Sequence, residues 1–303
     1  MERARRIFVT LAAVAIVLMT CLLCTFPGQP SEALIQTEPD QVNQEEDILN
    51  ECLYIPVENG EIKVLTGDAE YGYVWVSAIS DTVVKIQITS GDMTQTITPP
   101  CDGILRRTPL VGDDEQHDVV VFSKTDKDPQ NKKYARLKHS KVVARLDEDS
   151  PVYILPNIYV CYDSESECVK KADEIASGLK TDEEIVDAVC KFICENISYD
   201  QSKAEMLEHK PMSTYLPDPD ETLASGKGIC CDYAVLTAAM LRSQGIPTKV
   251  VIGIYIPLDD THAWNEVYLK DAGWLTIDNT FAASIAKWSH KTQNSDYQEE
   301  AWY

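Results

Sequence analysis

Gly226-Lys227-Gly228-Ile229-Cys230-Cys231-Asp232-Tyr233-Ala234 is the stretch on which the reading of this chain turns. Two glycines permit a tight turn, and the apolar run that follows predicts a helix from Cys230 to about Ser243, ended by Gly245 and Ile246-Pro247. A thiol at a helix N-terminus faces unpaired backbone N–H groups and the positive end of the dipole, and both favour thiolate. The backbone N–H there can also supply half of an oxyanion hole. Alone, such a cysteine reads equally as a small buried residue at a helix start.

The downstream sequence changes that balance. His262-Ala263-Trp264-Asn265-Glu266-Val267 begins one predicted strand, and Trp274-Leu275-Thr276-Ile277-Asp278 ends the next. In an antiparallel hairpin these positions bring His262 beside Asp278, as an imidazole base and its orienting carboxylate require. With Lys249 to Ile256, these make three strands. Upstream, Ser164-x-x-Glu167 and Thr181-x-x-Glu184 have the pattern of capping boxes that open helices. Ile185, Val189, Phe192, Ile193 and Ile197 follow the second box at helical spacing. Met206 to Gly228, with Pro211, Pro217 and Pro219, reads as an irregular loop. Helices first and strands after define an α+β domain over residues 151–303.

Working outward, residues 51–150 read as short β-branched strands. Tyr73 to Val76, Val83 to Ile88, Val119 to Phe122 and Lys141 to Leu146 are separated by turns such as Ser90-Gly91-Asp92. This predicts a small all-β, sandwich-like domain, best read as a spacer or binding module. Residues 29–50 are polar, acidic and patternless, a tether. Residues 1–28 hold Arg3, Arg5 and Arg6 before an uncharged apolar run from Ile7 to Phe26, long enough to span a membrane. The arginines would keep that end inside and send the rest outward. An uncleaved anchor, a cleaved signal and a lipoprotein leader ending at Cys21 all fit this segment.

The chain carries 27 basic and 49 acidic residues, a net charge of −22, which argues against a nucleic-acid partner. Its ten cysteines do not read as a disulfide framework: Cys190 and Cys194 share a helix and Cys230 and Cys231 are adjacent. Most are expected to be small buried residues. Successive helical residues diverge by about 100°, so Cys231 should point away from Cys230. No C-x-x-C pair or neighbouring His completes a metal sphere, and His117, His139, His209 and His290 read as surface residues.

G-x-G-x-C-x-D-Y-A, H-A-W-N-E-V and W-x-x-x-D, in that order, resemble the transglutaminase-like superfamily, in the core shared with bacterial exported members. The resemblance covers about Ala172 to Phe281, with a weaker junction from Leu155-Pro156-Asn157 to Tyr162. It implies a papain-like fold, with Cys230 as nucleophile, His262 as general base and acid, and Asp278 fixing the imidazole. Tyr199 matches the region of an aromatic oxyanion donor or packing residue, and Trp264 a residue that packs beside the site. Asp232 and Glu266 are read as structural. The implied chemistry is acyl transfer through a thioester, without metal or cofactor. An extracytoplasmic peptidase or amidase acting on a protein or peptide is the expected activity. A cross-linking transglutaminase and a non-catalytic envelope-binding module are the alternatives.

Overall fold

The computed structural model describes residues 52–112, 115–128, 132–148, 150–207, 215–284 and 294–303. The membrane segment expected over 1–28 and the tether over 29–50 lie outside these residues, as do His209 and His290. Among the described residues no helix is long and apolar enough to cross a membrane. The fold is mixed α+β and divides into two compact units, one running to Val152 and the other beginning at Tyr153.

The first unit is all β. Its strands are β1 (Cys52–Val57), β2 (Gly60–Leu65), β3 (Tyr73–Ile79), β4 (Val84–Ser90), β5 (Met93–Ile97), β6 (Arg106–Pro109), β7 (Gln116–Lys124) and β8 (Tyr134–Val143). They form two antiparallel four-stranded sheets, in the orders β1-β2-β3-β6 and β5-β4-β7-β8. Alternate residues turn inward, so Ile62 and Val64 in one sheet, and Ile86, Ile88 and Val121 in the other, are fully buried. His117 belongs to the inward set of β7 and is fully buried, which corrects its reading as a surface residue. His139 pairs with Asp118 across β7 and β8 at 2.6 Å.

The second unit holds helices α1 (Glu167–Ala176), α2 (Asp182–Asn196), α3 (Gln201–Leu207), α4 (Pro219–Ser225), α5 (Cys230–Ser243) and α6 (Asn279–Ser284). Two-residue strands β9 (Ser198–Tyr199) and β10 (Lys227–Gly228) pair in parallel. The main sheet contains β11 (Thr248–Tyr255), β12 (Asp260–Leu269), β13 (Gly273–Ile277) and β14 (Tyr297–Trp302), all antiparallel, in the order β13-β12-β11-β14. α5 packs on β12 and β11, and every residue from Cys231 to Arg242 is buried. A helix apolar on all sides can only be central, and this one is.

Capping follows the expectation at one helix and departs from it at another. Thr181 and Glu184 make a full capping box at α2. α1 instead starts at Glu167, and Ser164 plays no capping part. Its free N–H groups at Glu167 and Cys168 are taken by the Asp220 carboxylate of α4, at 3.0 and 2.8 Å. A cap supplied by a residue more than fifty positions away leaves no local sequence signature. The stretch read as a loop from Met206 also contains a helix, α4. Asp218 accepts the N–H groups of Asp220 and Glu221, and Pro219 occupies the first helical position, where its missing N–H costs nothing.

Arg242 ties the unit together from inside. It donates to the carbonyls of Thr248, Leu155 and Tyr303 at 2.7, 3.2 and 2.6 Å. Burial lowers its pKa to about 10, yet three carbonyls satisfy the guanidinium. The tightest approach in the sheet is at Gly253, beside a β-bulge between β11 and β14. A methyl group there would lie 2.0 Å from the Gln298 carbonyl oxygen and 2.8 Å from the Trp264 ring. Gly253→Ala should therefore destabilise the fold by about 3 kcal/mol, read as a lower urea midpoint. An unchanged midpoint would mean that β14 does not lie over Gly253.

Candidate active site

The site begins at the turn before α5. Gly228 is required because a methyl group on it would lie 2.6 Å from the Asp232 Cβ. Asp232 sits there to accept the Ile229 N–H at 2.8 Å, closing the turn that delivers Cys230 to the first helical position. Its carboxylate is fully buried and is held by Lys203 at 2.9 Å and by the Tyr215 hydroxyl. Two hydrogen-bond donors and an ammonium compensate a buried charge that would otherwise be costly. Asp232 thus shapes the turn from below. Glu266, the other acidic motif residue, pairs across strands with Lys249 at 3.5 Å.

The sheet brings its two motif residues to the same end. His262 on β12 and Asp278, just after β13, meet with Nε2 2.7 Å from Oδ2. Asp278 accepts three further bonds: the N–H groups of Thr280 and Phe281 on Oδ1, at 3.0 and 3.1 Å, and the Tyr297 hydroxyl on Oδ2, at 2.9 Å. Cys230 lies close enough to His262 for the imidazole to favour its thiolate. Because Nε2 faces Asp278, Nδ1 is the ring nitrogen left for the thiol.

Asn265 fixes the helix to the sheet by donating to the carbonyls of Ala234 and Lys249, at 2.9 and 3.1 Å. Tyr233 donates to the Ile197 carbonyl at 2.7 Å. These two motif residues therefore set the distance between thiol and imidazole.

The electrostatics oppose one another at each group. Burial disfavours a charged His262, but the charge and hydrogen bond of Asp278, aided by Cys230, outweigh it and lift the imidazole to about 10. The Cys231 thiol and burial push Cys230 well above the ordinary thiol range, and His262 pulls it back only in part. The two sulfurs are 4.0 Å apart and Cys231 is fully buried. Cys231 therefore does not point clear of its neighbour, as helix geometry alone suggests. Cys194, pushed up to about 12 by burial and then by Asp278, is not activated. Of the other cysteines, Cys168 and Cys190 are buried but Cys52, Cys101 and Cys161 are exposed, against the expectation of burial.

A cleft of about 420 Å³ opens beside His262, with Tyr199, Tyr233 and Phe281 among its walls. Tyr199 reaches it because β9 pairs with Gly228, two residues before the cysteine. Trp264 is buried and lies nearly parallel to the His262 ring, centroids 6.5 Å apart, and against Tyr297 at 4.9 Å. It packs beside the imidazole, as the motif implies.

Three contributors escaped the sequence reading: Lys203 and Tyr215 under Asp232, and Tyr297 on Asp278. A buried acid in a motif does imply partners, but not which residues they are. For Tyr297 the only local signal is the weak alternation of Tyr297, Glu299 and Ala301 against Gln298 and Glu300.

Residues 169–279 match the family model of the transglutaminase-like superfamily, and this stretch is a transglutaminase-like core domain. The chain is 33% identical over 85 residues to a protein-glutamine gamma-glutamyltransferase of Pseudomonas aeruginosa, covering 24% of this chain and 13% of that protein. It is 29% identical over 127 residues to the kyphoscoliosis peptidase of Homo sapiens, covering 37% of this chain and 18% of that one. The matches thus span less than a fifth of either relative. Among solved structures it is similar to the periplasmic domain of TgpA from Pseudomonas aeruginosa. That likeness has 18% identity and a TM-score of 0.34, over 82% of this chain and 86% of that one.

Proposed function

We propose that this protein is an extracytoplasmic cysteine hydrolase, a peptidase or amidase, working through Cys230, His262 and Asp278. The observation that carries the reading is the run of contacts from Asp278 to His262 to a cysteine at the start of a helix. In this mechanism His262 and Cys230 share one proton, which rests on the imidazole as the sulfur attacks the acyl carbon of a bound amide. The oxyanion is met by the Cys230 backbone N–H, with the Tyr199 phenol as a candidate second donor from the cleft wall. His262 then protonates the leaving amine, which departs and leaves a thioester. Water, giving its proton to the same imidazole, releases the acid and restores the thiol. Asp278 keeps its charge throughout and holds the ring in register.

Hydrolysis and transamidation share every step up to the thioester and differ only in whether water or an amine resolves it. The peptidase relative supports the first and the glutamyltransferase relative the second. Hydrolysis comes first because the resemblance to bacterial exported members implies it. The outward location rests on Arg3, Arg5, Arg6 and the apolar run to Phe26. A protein or peptide substrate suits the open cleft, and the acidic chain is unsuited to nucleic acid.

The test is a membrane-impermeant electrophilic amide applied to intact cells with an accessible wall, followed by mass mapping. Cys230 should carry the label without prior reduction. Labelling of Cys230 only after lysis would place the domain inside. A label on exposed Cys52, Cys101 or Cys161 that competing amide does not suppress, with Cys230 bare, would overturn the site.

A further inference from the structure

We propose that Tyr297 is a positioning residue for the reaction, holding the Asp278 carboxylate so that one oxygen serves the imidazole and the phenol together. The inference rests on the reading of Cys230, His262 and Asp278 given above. Its basis is geometric. The Tyr297 hydroxyl donates to Oδ2 at 2.9 Å, and His262 Nε2 lies 2.7 Å from that same atom. Oδ1 is held separately by two backbone N–H groups. With both oxygens fixed from two sides, the carboxylate has no freedom to rotate away from the ring.

The phenol is itself held. Its ring lies 4.9 Å from Trp264 and 5.2 Å from Tyr255, centroid to centroid, and Tyr255 is its partner in the β11–β14 ladder. Burial, and then Asp278, raise the Tyr297 pKa, so the hydroxyl remains a donor across the working pH range. A second donor on an ionised oxygen favours the charged carboxylate, the form that steadies an imidazolium. Its removal should leave Oδ2 held by the imidazole alone.

The groups facing Asp278 are His262 on β12, Tyr297 on β14 and Cys194 on α2, with Cys230 on α5 reaching it through His262. Tyr255 and Asp296 lie beyond the phenol. Cys194, pushed up to about 12, stays a neutral thiol beside the carboxylate.

The experiment measures kcat and KM against pH for the wild type, Tyr297→Phe, Asp278→Ala and the double variant. Gln298→Ala, at an exposed position of the same strand, is the control. Tyr297→Phe removes one oxygen and keeps the ring, so the fold should persist, as circular dichroism checks. The expected result is a kcat roughly tenfold lower with KM nearly unchanged, matching a lost bond to a charged group. In the Asp278→Ala background the same substitution should add nothing, and Gln298→Ala should behave as wild type. An unchanged kcat, a loss that appears in KM instead, or a full additional loss without Asp278 would show that the phenol does not act through the carboxylate and would overturn the inference. A wild type that turns over no amide and leaves Cys230 unlabelled would instead sink the reading of the site, and this inference with it.

Discussion

Cys230→Ala is expected to abolish labelling by an electrophilic amide and to lower turnover by roughly 10⁴-fold or more, because no other group can form the thioester. The adjacent Cys231→Ser should keep the fold and stay within a few-fold of wild type. The contrast is sharp because the sulfurs are only 4.0 Å apart, so proximity alone does not distinguish them. Environment does. Cys230 is half-buried, beside His262 and at the helix start, whereas Cys231 is fully buried. A fully buried sulfur has no open path to an external acyl carbon. Equal loss in both variants, with unchanged circular dichroism, would remove Cys230 from its place as nucleophile.

Turnover in Asp278→Ala should fall about 10³-fold, and in His262→Ala close to the level of the cysteine variant. Some labelling should survive in Asp278→Ala, since the helix terminus and His262 still favour thiolate. Wild-type turnover in Asp278→Ala would mean that the contact with His262 plays no part in the chemistry. The pair also leaves a trace in stability. His262 is raised to about 10 in the folded protein, against roughly 6.5 in an unfolded chain. A raised pKa means that the folded state prefers the proton. The stabilisation is therefore complete below pH ~6.5 and is lost as pH climbs through about 10. Denaturation across that window should show the decline in wild type and a flatter course in Asp278→Ala.

What could be read from the sequence was set by how local its physical cause is. α5 spans Cys230–Ser243 as its apolar run and the glycine after it indicate. The hairpin register follows from side-chain alternation, and the short loop between β12 and β13 leaves His262 and Asp278 few ways to miss each other. The Thr181 cap is three residues from its partner and was equally legible. β1 and β2 lie in the stretch read as strands but were not delimited, because each alternates over only six residues and a two-residue turn joins them. The cap of α1 by Asp220, the Lys203 and Tyr215 contacts under Asp232, and the phenol on Asp278 all join distant segments. No periodicity in one segment records a partner in another.

β14 joins the sheet beside β11 rather than next to β13, its nearest predecessor in the chain. β11, β12 and β13 are successive hairpins, and each closes a loop of a few residues. β14 must instead close a span of about forty residues to bring Tyr297 opposite Tyr255. Loop closure over that distance carries more entropy, and pairings of high contact order form late. Assembly of the site therefore has an order. The imidazole and its carboxylate come together with the hairpins, and the phenol that completes the carboxylate's shell arrives only when the outer strand docks.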